Sequence, residues 1–560
     1  MRVELRRASK QRSCKLHRVL VGALVLTLAW GALAFGAVYP WAYITLGGTC
    51  VLTAFVRLLP RRDGPLAPVN RPLLVGLVLV ALATAVQLIP LSHETLTRLN
   101  PATDRFLLRY DLQYAAMAQT EALRAGGKAS AFAEATADKE ALPYRSGEGG
   151  AQGGDKLRPY ESKRSAHPLS IDPPQTALGL SLLCVFGVFL LGLARGLRAL
   201  DVRRLAPSVV ALGVVLALVG MIQKATYSGK IYGFWQPYAT DAGPFGPFVN
   251  RNHFAGWMVM ALSLGVGYFG ALVSRGMRNV KPGWRHKVLW FSSADANRVI
   301  LVAFGLLVMG LSLVMTLSRS GITCFAIALA ISGFAAVRGQ GKRSKRALVG
   351  GYLVMVFVLT LGWTGIDVIV SRFEQGEGSY ASRQAIWNDA LRVFNDFPLF
   401  GSGIDTFGTA MVVYQTADPT VHYAEAHNDY LQLLSEGGML VTVPALVLLV
   451  LFAREVRRRF RDDTDDSTTY WIRVGAVTGL LAIGLQETVE FSLQMPGNAA
   501  LFCTLMAIAA ARLPHRGGRV RSGGRDIQKS EVKIQKGAGG MKSSGLRIEK
   551  VTGGQDSGEV

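Results

Sequence analysis

One polar stretch in a largely apolar chain carries residue types that can do acid–base chemistry. It reads AHNDYLQLLSEGG over residues 426–438 and places His427, Asn428 and Asp429 immediately before an apolar run. A neutral imidazole is a competent proton acceptor near neutral pH, and histidine is the side chain that serves most often as a general base. His427 is therefore a candidate catalytic base, and the alternative is a hydrogen-bonded structural histidine.

Two arginines stand where a guanidinium could bind an anion. Arg319 lies in the short turn TLSRSG between two apolar runs, where an arginine is costly unless it meets water or an anion. Arg383 lies in the first turn of a predicted amphipathic helix. A guanidinium has a permanent charge and a fork of donors that suits phosphate. The simpler alternatives are a headgroup-contacting arginine for Arg319 and a solvated surface arginine for Arg383.

Two further groups of polar residues border apolar runs. Asn250 and Arg251, followed by Asn252 and His253, are either a cluster of donors for a ligand or a helix N-cap with an interfacial arginine. Both interpretations are equally open from the sequence.

Glu487 and Glu490 are three residues apart, on one side of a predicted membrane helix near its outer end. Carboxylates at that depth usually pair with a cation or face a wet cavity. The pair therefore predicts either a salt bridge to one of the arginines or a role as a base or as a positioning group.

The rest of the chain is too apolar for a water-soluble globular protein. Half of the 560 residues are hydrophobic and 18% are charged, a composition typical of membrane proteins. Apolar runs long enough to cross about 30 Å of hydrocarbon occur about twelve times. The predicted spans are 19–37, 41–59, 72–91, 176–194, 206–223, 253–274, 299–317, 320–337, 347–365, 438–453, 473–490 and 497–513. The sequence predicts an all-α integral membrane protein with a small helical loop domain.

Basic residues indicate the orientation. The formal net charge of +23 would suggest nucleic acid in a soluble protein. Here the Lys and Arg residues crowd both termini and every second loop, as the positive-inside rule describes. We expect both termini in the cytoplasm, contacts with membrane lipids and none with nucleic acid, and the candidate residues on the opposite face.

The spans divide the chain into six predicted segments. They are helices one to three in 1–91, a low-complexity non-cytoplasmic segment in 92–175, helices four to nine in 176–365, an ordered loop in 366–437, helices ten to twelve in 438–513, and a disordered basic tail in 514–560.

The loop 366–437 has the strongest local patterns. Ile386, Ala390 and Phe394 recur every four residues beside Trp387 and Leu391, which predicts an amphipathic helix. A Gly-rich turn follows, and then a short helix from near His427 to the Gly437–Gly438 pair. We expect the function to lie in this loop.

Four stretches together resemble the O-antigen ligase and polymerase superfamily of bacterial membrane glycosyltransferases. They are GPFVNRNHFAGW before the sixth span, TLSRSG between the seventh and eighth, SRQAIWNDALRVFNDFPLFGSGIDTF in the loop, and AHNDYLQLLSEGG at its end. Each motif is short, and their order, spacing and shared membrane face carry the resemblance. The long segment 92–175 departs from the family's pattern.

The resemblance implies a metal-independent glycosyltransferase of the bacterial inner membrane that needs no cofactor. Its donor would be a glycan linked to undecaprenyl pyrophosphate, and its active site would lie between the helix bundle and the periplasmic loop. Arg319 and Arg383 would bind the pyrophosphate, and His427 would activate the acceptor hydroxyl. Asn250 and Arg251 would line the same site. We also expect Asn428, Glu487 and Glu490 to line it, from their positions in the sequence.

The sequence leaves two alternatives open. The acceptor could be a growing glycan, a lipid A core or a protein hydroxyl, so that ligase and polymerase are not separated. A polytopic secondary transporter or lipid flippase is the alternative function, because about twelve helices with both termini inside suit that class.

Overall fold

The computed structural model of the protein is almost entirely helical. It describes residues 2–59, 66–124, 166–237, 243–281, 283–290, 292–338, 376–416, 420–461 and 466–512. In these ranges the α-helices are α1 (Arg2–Leu33), α2 (Pro40–Leu58), α3 (Arg71–Val86), α4 (His93–Leu99), α5 (Pro101–Tyr110), α6 (Leu112–Arg124), α7 (Pro173–Gly196), α8 (Ala199–Thr226), α9 (Arg251–Gly276), α10 (Trp284–Trp290), α11 (Ala294–Met315), α12 (Arg319–Arg338), α13 (Gly376–Asp396), α14 (Phe407–Tyr414), α15 (Asp429–Arg461), α16 (Ser467–Gln486) and α17 (Pro496–Ala510). Two short strands, β1 (Leu91–Ser92) and β2 (Ala166–His167), pair in antiparallel fashion.

Several of the described helices are long and apolar enough to cross a membrane. Seven of them qualify by length and composition, namely α2, α7, α8, α9, α11, α15 and α16, and shorter apolar helices lie in α1, α3, α12 and α17. Each lies at the position of a predicted span. The predicted span 347–365 and the tail 514–560 lie outside the described residues, so the number of twelve helices stays a prediction. The chain is a multi-pass, all-α membrane protein.

Helix α9 is largely buried in the bundle and packs closely against α16. An ideal Cβ built on Gly267 of α9 would lie 2.5 Å from the carbonyl oxygen of Trp471, and one on Gly475 of α16 would lie 2.6 Å from that of Ser263. Small residues let two membrane helices approach this closely. This contact holds α9 directly against α16. The main apolar core joins these two helices to α1, α2, α7, α8, α11 and α17.

The segment 92–175, predicted to be of low complexity, begins with three short helices, α4 to α6. They enclose a small core of their own, to which Leu96, Leu107 and Leu169 contribute. Residues 125–165 of this segment lie outside the described ranges. The described part is more ordered than its composition predicted, because its few apolar residues converge on one cluster.

The predicted amphipathic helix is present as α13, with a different buried face. Ile386 and Ala390 are almost fully buried as predicted, and Val393 completes the face in place of Phe394, while Leu391 is 41% exposed. The buried face packs against α14 in a second apolar cluster. The sequence prediction placed Phe394 instead of Val393 on the buried face. Apolar residues spaced four apart do not by themselves show which side of a helix meets its neighbour.

A break inside α15 fastens the loop to the membrane helix. Gly438 has a φ of +55° within α15, and Gly401 in the Gly-rich turn has a φ of +72°. An ideal Cβ on Gly438 would clash with the amide nitrogen of Gly401 and the carbonyl of Leu399. The predicted short helix therefore runs from Asp429 to this break, beyond which the chain continues directly into the membrane span.

The buried carboxylate of Glu436 strengthens the same junction. It is 5% exposed, and its two oxygens accept hydrogen bonds from the backbone amides of Asp405 and Phe407, each at 2.9 Å. The amide of Gln432 donates to it as well, at 3.1 Å. The Gly-rich turn is therefore held against α15 by main-chain hydrogen bonds.

Candidate active site

A second buried carboxylate forms the centre of the candidate site. Glu490 is 1% exposed and lies in the connection between α16, which ends at Gln486, and α17. Its Oε1 atom accepts hydrogen bonds from Arg383 Nη2 at 2.7 Å and Asn252 Nδ2 at 2.8 Å, and Ser320 Oγ lies 3.5 Å away. Glu490 therefore joins α9, α12 and α13 at one end of the bundle.

His427 lies on the other oxygen of this carboxylate. Its Nδ1 atom is 3.8 Å from Oε2 of Glu490, and the side chain is 26% exposed. The ring packs edge-on against Phe491, with centroids 4.8 Å apart. The backbone of His427 has a φ of +50°, a left-handed conformation that is uncommon outside glycine and concentrated at functional sites. The imidazole is thus held beside Glu490 and still accessible to a substrate.

Asn428 explains how His427 is held just outside α15. Its Oδ1 atom accepts hydrogen bonds from the backbone amides of Tyr430 and Leu431, each at 3.1 Å, which is the geometry of an N-cap. The helix therefore begins at Asp429, and His427 lies two residues before the helix. Asn428 acts through the backbone that it fixes.

Opposite charges outweigh burial in setting the ionisation of Glu490. Burial raises the pKa of this carboxyl, and the contacts with His427 and Arg383 lower the pKa by more, so that it lies below its ordinary value. Glu490 is therefore ionised at neutral pH. A carboxylate beside Nδ1 orients the imidazole and stabilises the positive charge that the ring acquires when it accepts a proton.

Glu487 has a different environment from Glu490. It caps the C-terminus of α16, and its backbone carbonyl accepts a hydrogen bond from the amide of Asp429 at 3.0 Å. Burial, and then the negative charge of Asp429, raise the pKa of Glu487 well above its ordinary value. The two glutamates were expected on one helix, which is wrong because α16 ends at Gln486. The expected salt bridge is made by Glu490, with Arg383.

The two candidate arginines lie on different helices, and the side chain of Arg383 contacts Glu490. Arg383 lies two turns inside α13 instead of in its first turn, because the helix begins at Gly376. Its side chain is 22% exposed. A guanidinium has five N–H donors, and Glu490 accepts a hydrogen bond from one of its nitrogens, Nη2. Arg319 is the first residue of α12, next to Ser320, whose hydroxyl lies at Glu490.

In the motif at the start of α9, the side chain that contacts Glu490 is that of Asn252, which is neither of the two candidates, Asn250 and Arg251. Asn250 is the N-cap of α9, and its Oδ1 atom accepts a hydrogen bond from the amide of Asn252 at 2.8 Å. The amide of Arg251 donates to the carbonyl of Gly243 at 3.2 Å. The structure thus supports the N-cap interpretation of Asn250, and the residue whose side chain contacts Glu490 is Asn252.

Sequence reasoning did not single out Asn252, Ser320 or Phe491. Each lies next to a selected residue, and Asn252 had been noticed only as one of a group of donors. Phe491 contacts His427 on one side and His253 on the other, with the ring of His253 4.6 Å away. The sequence signal for these three residues is that each is adjacent to a candidate residue. Adjacency does not show in which direction a side chain points.

The charged groups that the structure brings together at the site are Arg383, His427 and Glu490. Among the described residues, no group of three or more His, Cys, Asp or Glu side chains could hold a metal ion. A base held by a carboxylate, with a guanidinium on the same carboxylate, can accept a proton from a hydroxyl and stabilise a leaving anion.

A comparison with protein families agrees with the resemblance of the four motifs. The family model described as O-antigen ligase matches residues 304–449, a range that includes Arg319, Arg383 and His427. No curated protein matches the chain. The match confirms the resemblance to the O-antigen ligase and polymerase superfamily. It also supports a membrane enzyme of the glycosyltransferase type that acts on a glycan or lipid-linked substrate.

Proposed function

We propose, from the match of the O-antigen ligase family model to residues 304–449, that the chain transfers or polymerises glycan from an undecaprenyl-pyrophosphate-linked donor. The observation that carries this proposal is the contact of one carboxylate, Glu490, with both Arg383 and His427. It puts an anion-binding cation and a base side by side, as this reaction requires.

Arg319 and Arg383 bind the pyrophosphate of the donor in this proposal. The leaving group is a lipid pyrophosphate, and fixed guanidinium groups stabilise the negative charge that develops on it, without a metal ion or a cofactor. Arg383 is partly exposed and tied to Glu490 through Nη2. Its other donors are then available for a phosphate.

His427 accepts the proton of the acceptor hydroxyl through Nε2. The hydroxyl oxygen forms a bond to the anomeric carbon of the donor sugar while the bond from that carbon to the pyrophosphate oxygen breaks. Undecaprenyl pyrophosphate leaves, and Glu490 stabilises the imidazolium from the Nδ1 side. Catalytic hydrogen bonds are often long before substrate binds, and we expect the 3.8 Å separation of Nδ1 and Oε2 to shorten in the complex.

The remaining candidate residues position this machinery. Asn428 caps α15 and so fixes His427, and Asn250 caps α9 and so fixes Asn252. Glu487 holds the start of α15 through its carbonyl, and Arg251 is next to the cap of α9. In this proposal their substitution changes the geometry of the site more than its chemistry.

The site faces the periplasm of a bacterial inner membrane in this proposal. Helices α9, α12 and α15 begin at the site and α16 ends there, while the far ends carry Arg275 in α9, Arg461 in α15 and Arg473 in α16. Basic residues mark the cytoplasmic ends of membrane helices. The acceptor, whether a glycan, a lipid A core or a protein hydroxyl, would then be met outside the cytoplasm.

Transfer of labelled glycan from a synthetic undecaprenyl pyrophosphate donor by the purified protein in detergent tests the proposal. We expect transfer in the presence of EDTA and a loss of about 100-fold or more in His427→Ala. His286→Ala is the matched control, because His286 is exposed and lies in α10, beyond the end of α9 that is away from the site. A ladder of products would indicate a polymerase, and a single product on lipid A core would indicate a ligase.

Two outcomes would contradict the proposal. Equal transfer by His427→Ala and the wild type would remove the base assignment. No transfer to any glycan, lipid A core or protein acceptor, together with movement of the lipid-linked donor across a vesicle membrane, would favour a flippase.

A further inference from the structure

A pocket opens in the loop domain close to the Glu490 cluster and separate from it. Its volume is about 390 Å³, within the range of small-molecule sites. It lies between the start of α7, the Gly-rich turn, α14 and the segment that precedes His427. Its polar and smallest lining residues are Gln175, Asp405, Gly408, Thr409, His422 and Glu425.

The lining is suited to hydroxyl groups and unsuited to a pyrophosphate. Among the described lining residues there is no lysine or arginine whose charge and donors could bind a phosphate. An amide, a hydroxyl, an imidazole and two carboxyls offer both donors and acceptors. This is the hydrogen-bonding capacity that an uncharged, polyhydroxylated ring requires.

Burial favours the protonated form of both carboxyl groups of the pocket. Burial, and then the charge of Asp172, raise the pKa of Asp405 to about 6. Burial is also the main cause that raises the pKa of Glu425 well above its ordinary value. A protonated carboxyl donates one hydrogen bond and still accepts others.

The pocket is connected to the candidate base by a short, fixed piece of chain. Glu425 comes two residues before His427, so their Cα atoms are at most about 7 Å apart. Gln432 of α15 donates to Glu425 Oε2 at 2.6 Å and accepts a hydrogen bond from the amide of Ala426 at 2.9 Å. A ligand in the pocket is therefore held at a fixed distance from His427.

We propose that this pocket binds one uncharged sugar ring of a glycan substrate and so holds that glycan beside His427. The inference rests on the proposed glycosyl transfer and adds where part of a substrate binds. The ring belongs either to the acceptor or to the glycan of the donor. Both offer the same hydroxyl chemistry, and the kinetic test below separates them.

Gly408 gives a direct way to fill the pocket. It is the second residue of α14, and an ideal Cβ there would lie 3.4 Å from Cα of Ala424 and 3.6 Å from Nε2 of His422. A methyl group fits at these distances, whereas the branched side chain of Gly408→Leu would extend into the pocket. Gly408→Ala is therefore the matched control.

Asp405→Asn is a second, smaller change that does not depend on filling space. Asp405 has a φ of +66°, and asparagine tolerates this left-handed conformation. The substitution removes the titratable proton and keeps the shape of the side chain. It tests the pocket even if Gly408→Leu does not fold.

The kinetic test measures glycan transfer with the donor and the acceptor varied separately. We expect Gly408→Leu to raise the KM of one of the two substrates about tenfold or more with kcat unchanged. Asp405→Asn should raise the same KM, and Gly408→Ala should match the wild type. The substrate whose KM rises is the one whose sugar ring binds in the pocket. Wild-type KM values for both substrates in Gly408→Leu and in Asp405→Asn would overturn the proposal.

A binding measurement that needs no transfer separates this inference from the proposed function. The probe is a set of short oligosaccharides from mild acid hydrolysis of the source cell's own surface polysaccharide, observed by saturation-transfer NMR. Binding by the wild type and Gly408→Ala but not by Gly408→Leu would support the pocket even if no transfer occurs. If Gly408→Leu binds the oligosaccharides as well as the wild type does and the protein transfers glycan, the proposed sugar-binding pocket is wrong and the proposed transferase function remains.

Discussion

Glu490 and Glu436 are both buried glutamates, and they differ in what surrounds them. The carboxylate of Glu490 contacts side chains from three parts of the chain, namely Arg383, Asn252 and His427. The carboxylate of Glu436 accepts hydrogen bonds mainly from backbone amides of the Gly-rich turn. Burial and residue type are nearly the same, so they do not distinguish the two roles.

The difference lies in what the partners can do. Backbone amides neither change protonation state nor turn towards a substrate, so a carboxylate bound by them serves to hold the fold. The partners of Glu490 include an imidazole that can accept a proton and a guanidinium with further donors. The kind of partner, more than the depth of burial, therefore separates the candidate catalytic carboxylate from the structural one.

Glu490→Gln is expected to have the largest effect on activity. The amide oxygen can still accept from Arg383, but the charge that stabilises the imidazolium of His427 is lost, so that kcat should fall about 100-fold or more. Steady-state transfer in detergent measures this change. Glu94→Gln is the control, because Glu94 is 75% exposed and pairs only at the surface with Arg98. An undiminished kcat in Glu490→Gln would show that Glu490, like Glu436, has no part in the reaction.

Arg383→Lys is expected to have an intermediate effect. The ammonium keeps a positive charge near Glu490, but it lacks the planar fork that binds phosphate oxygens, and kcat/KM for the donor should fall about tenfold. Donor kinetics measure this loss. Arg392→Lys, on the exposed part of the same helix, should keep wild-type kinetics. If both variants behave alike, Arg383 does not bind the donor.

Glu436→Gln should act on stability and leave chemistry nearly intact. The new amide group would face a backbone N–H of Asp405 or Phe407, so that one hydrogen bond is lost and the free energy of unfolding falls by about 1–3 kcal/mol. Denaturant unfolding in detergent measures this change, and kcat should stay near the wild-type value. A loss of kcat as large as that of Glu490→Gln in a well-folded protein would reverse the comparison.

The smallest expected effect is the acid dependence of stability. The pKa of Glu490 in the folded protein is lower than in the unfolded chain, where it is about 4.3. The ionised group therefore stabilises the fold above about pH 4.3, and this contribution is lost as the pH falls through the lowered pKa. Thermal midpoints below that pH should decline more steeply in the wild type than in Glu490→Gln, and parallel curves would contradict the lowered pKa.

The elements of this protein were largely predictable, because a membrane helix is a long local pattern. The run 176–194 corresponds to α7 (Pro173–Gly196), and AHNDYLQLL contains both the candidate base and the N-cap that fixes it. Helix ends were less predictable. The apolar run 473–490 does not show that α16 ends at Gln486, and nothing before Arg383 signalled that α13 begins at Gly376.

The contacts within the site could not be predicted from the sequence, for a different reason. Arg383 and Glu490 are 107 positions apart, and they meet only because α13 lies beside the chain that follows α16. The proposal of an arginine–glutamate salt bridge could be made from residue types, but the choice of Glu490 over Glu487 required the three-dimensional structure.

The two glycines that meet where the loop joins α15 limit how this protein can be recombined with its relatives. Gly401 and Gly438 lie so close that neither position has room for a Cβ, and each uses a backbone conformation natural to glycine. A chimera with a boundary between these two positions keeps the contact only if both positions remain glycine. A segment that runs from the Gly-rich turn to the break in α15 contains both glycines, and its transfer would carry the His427 motif with it.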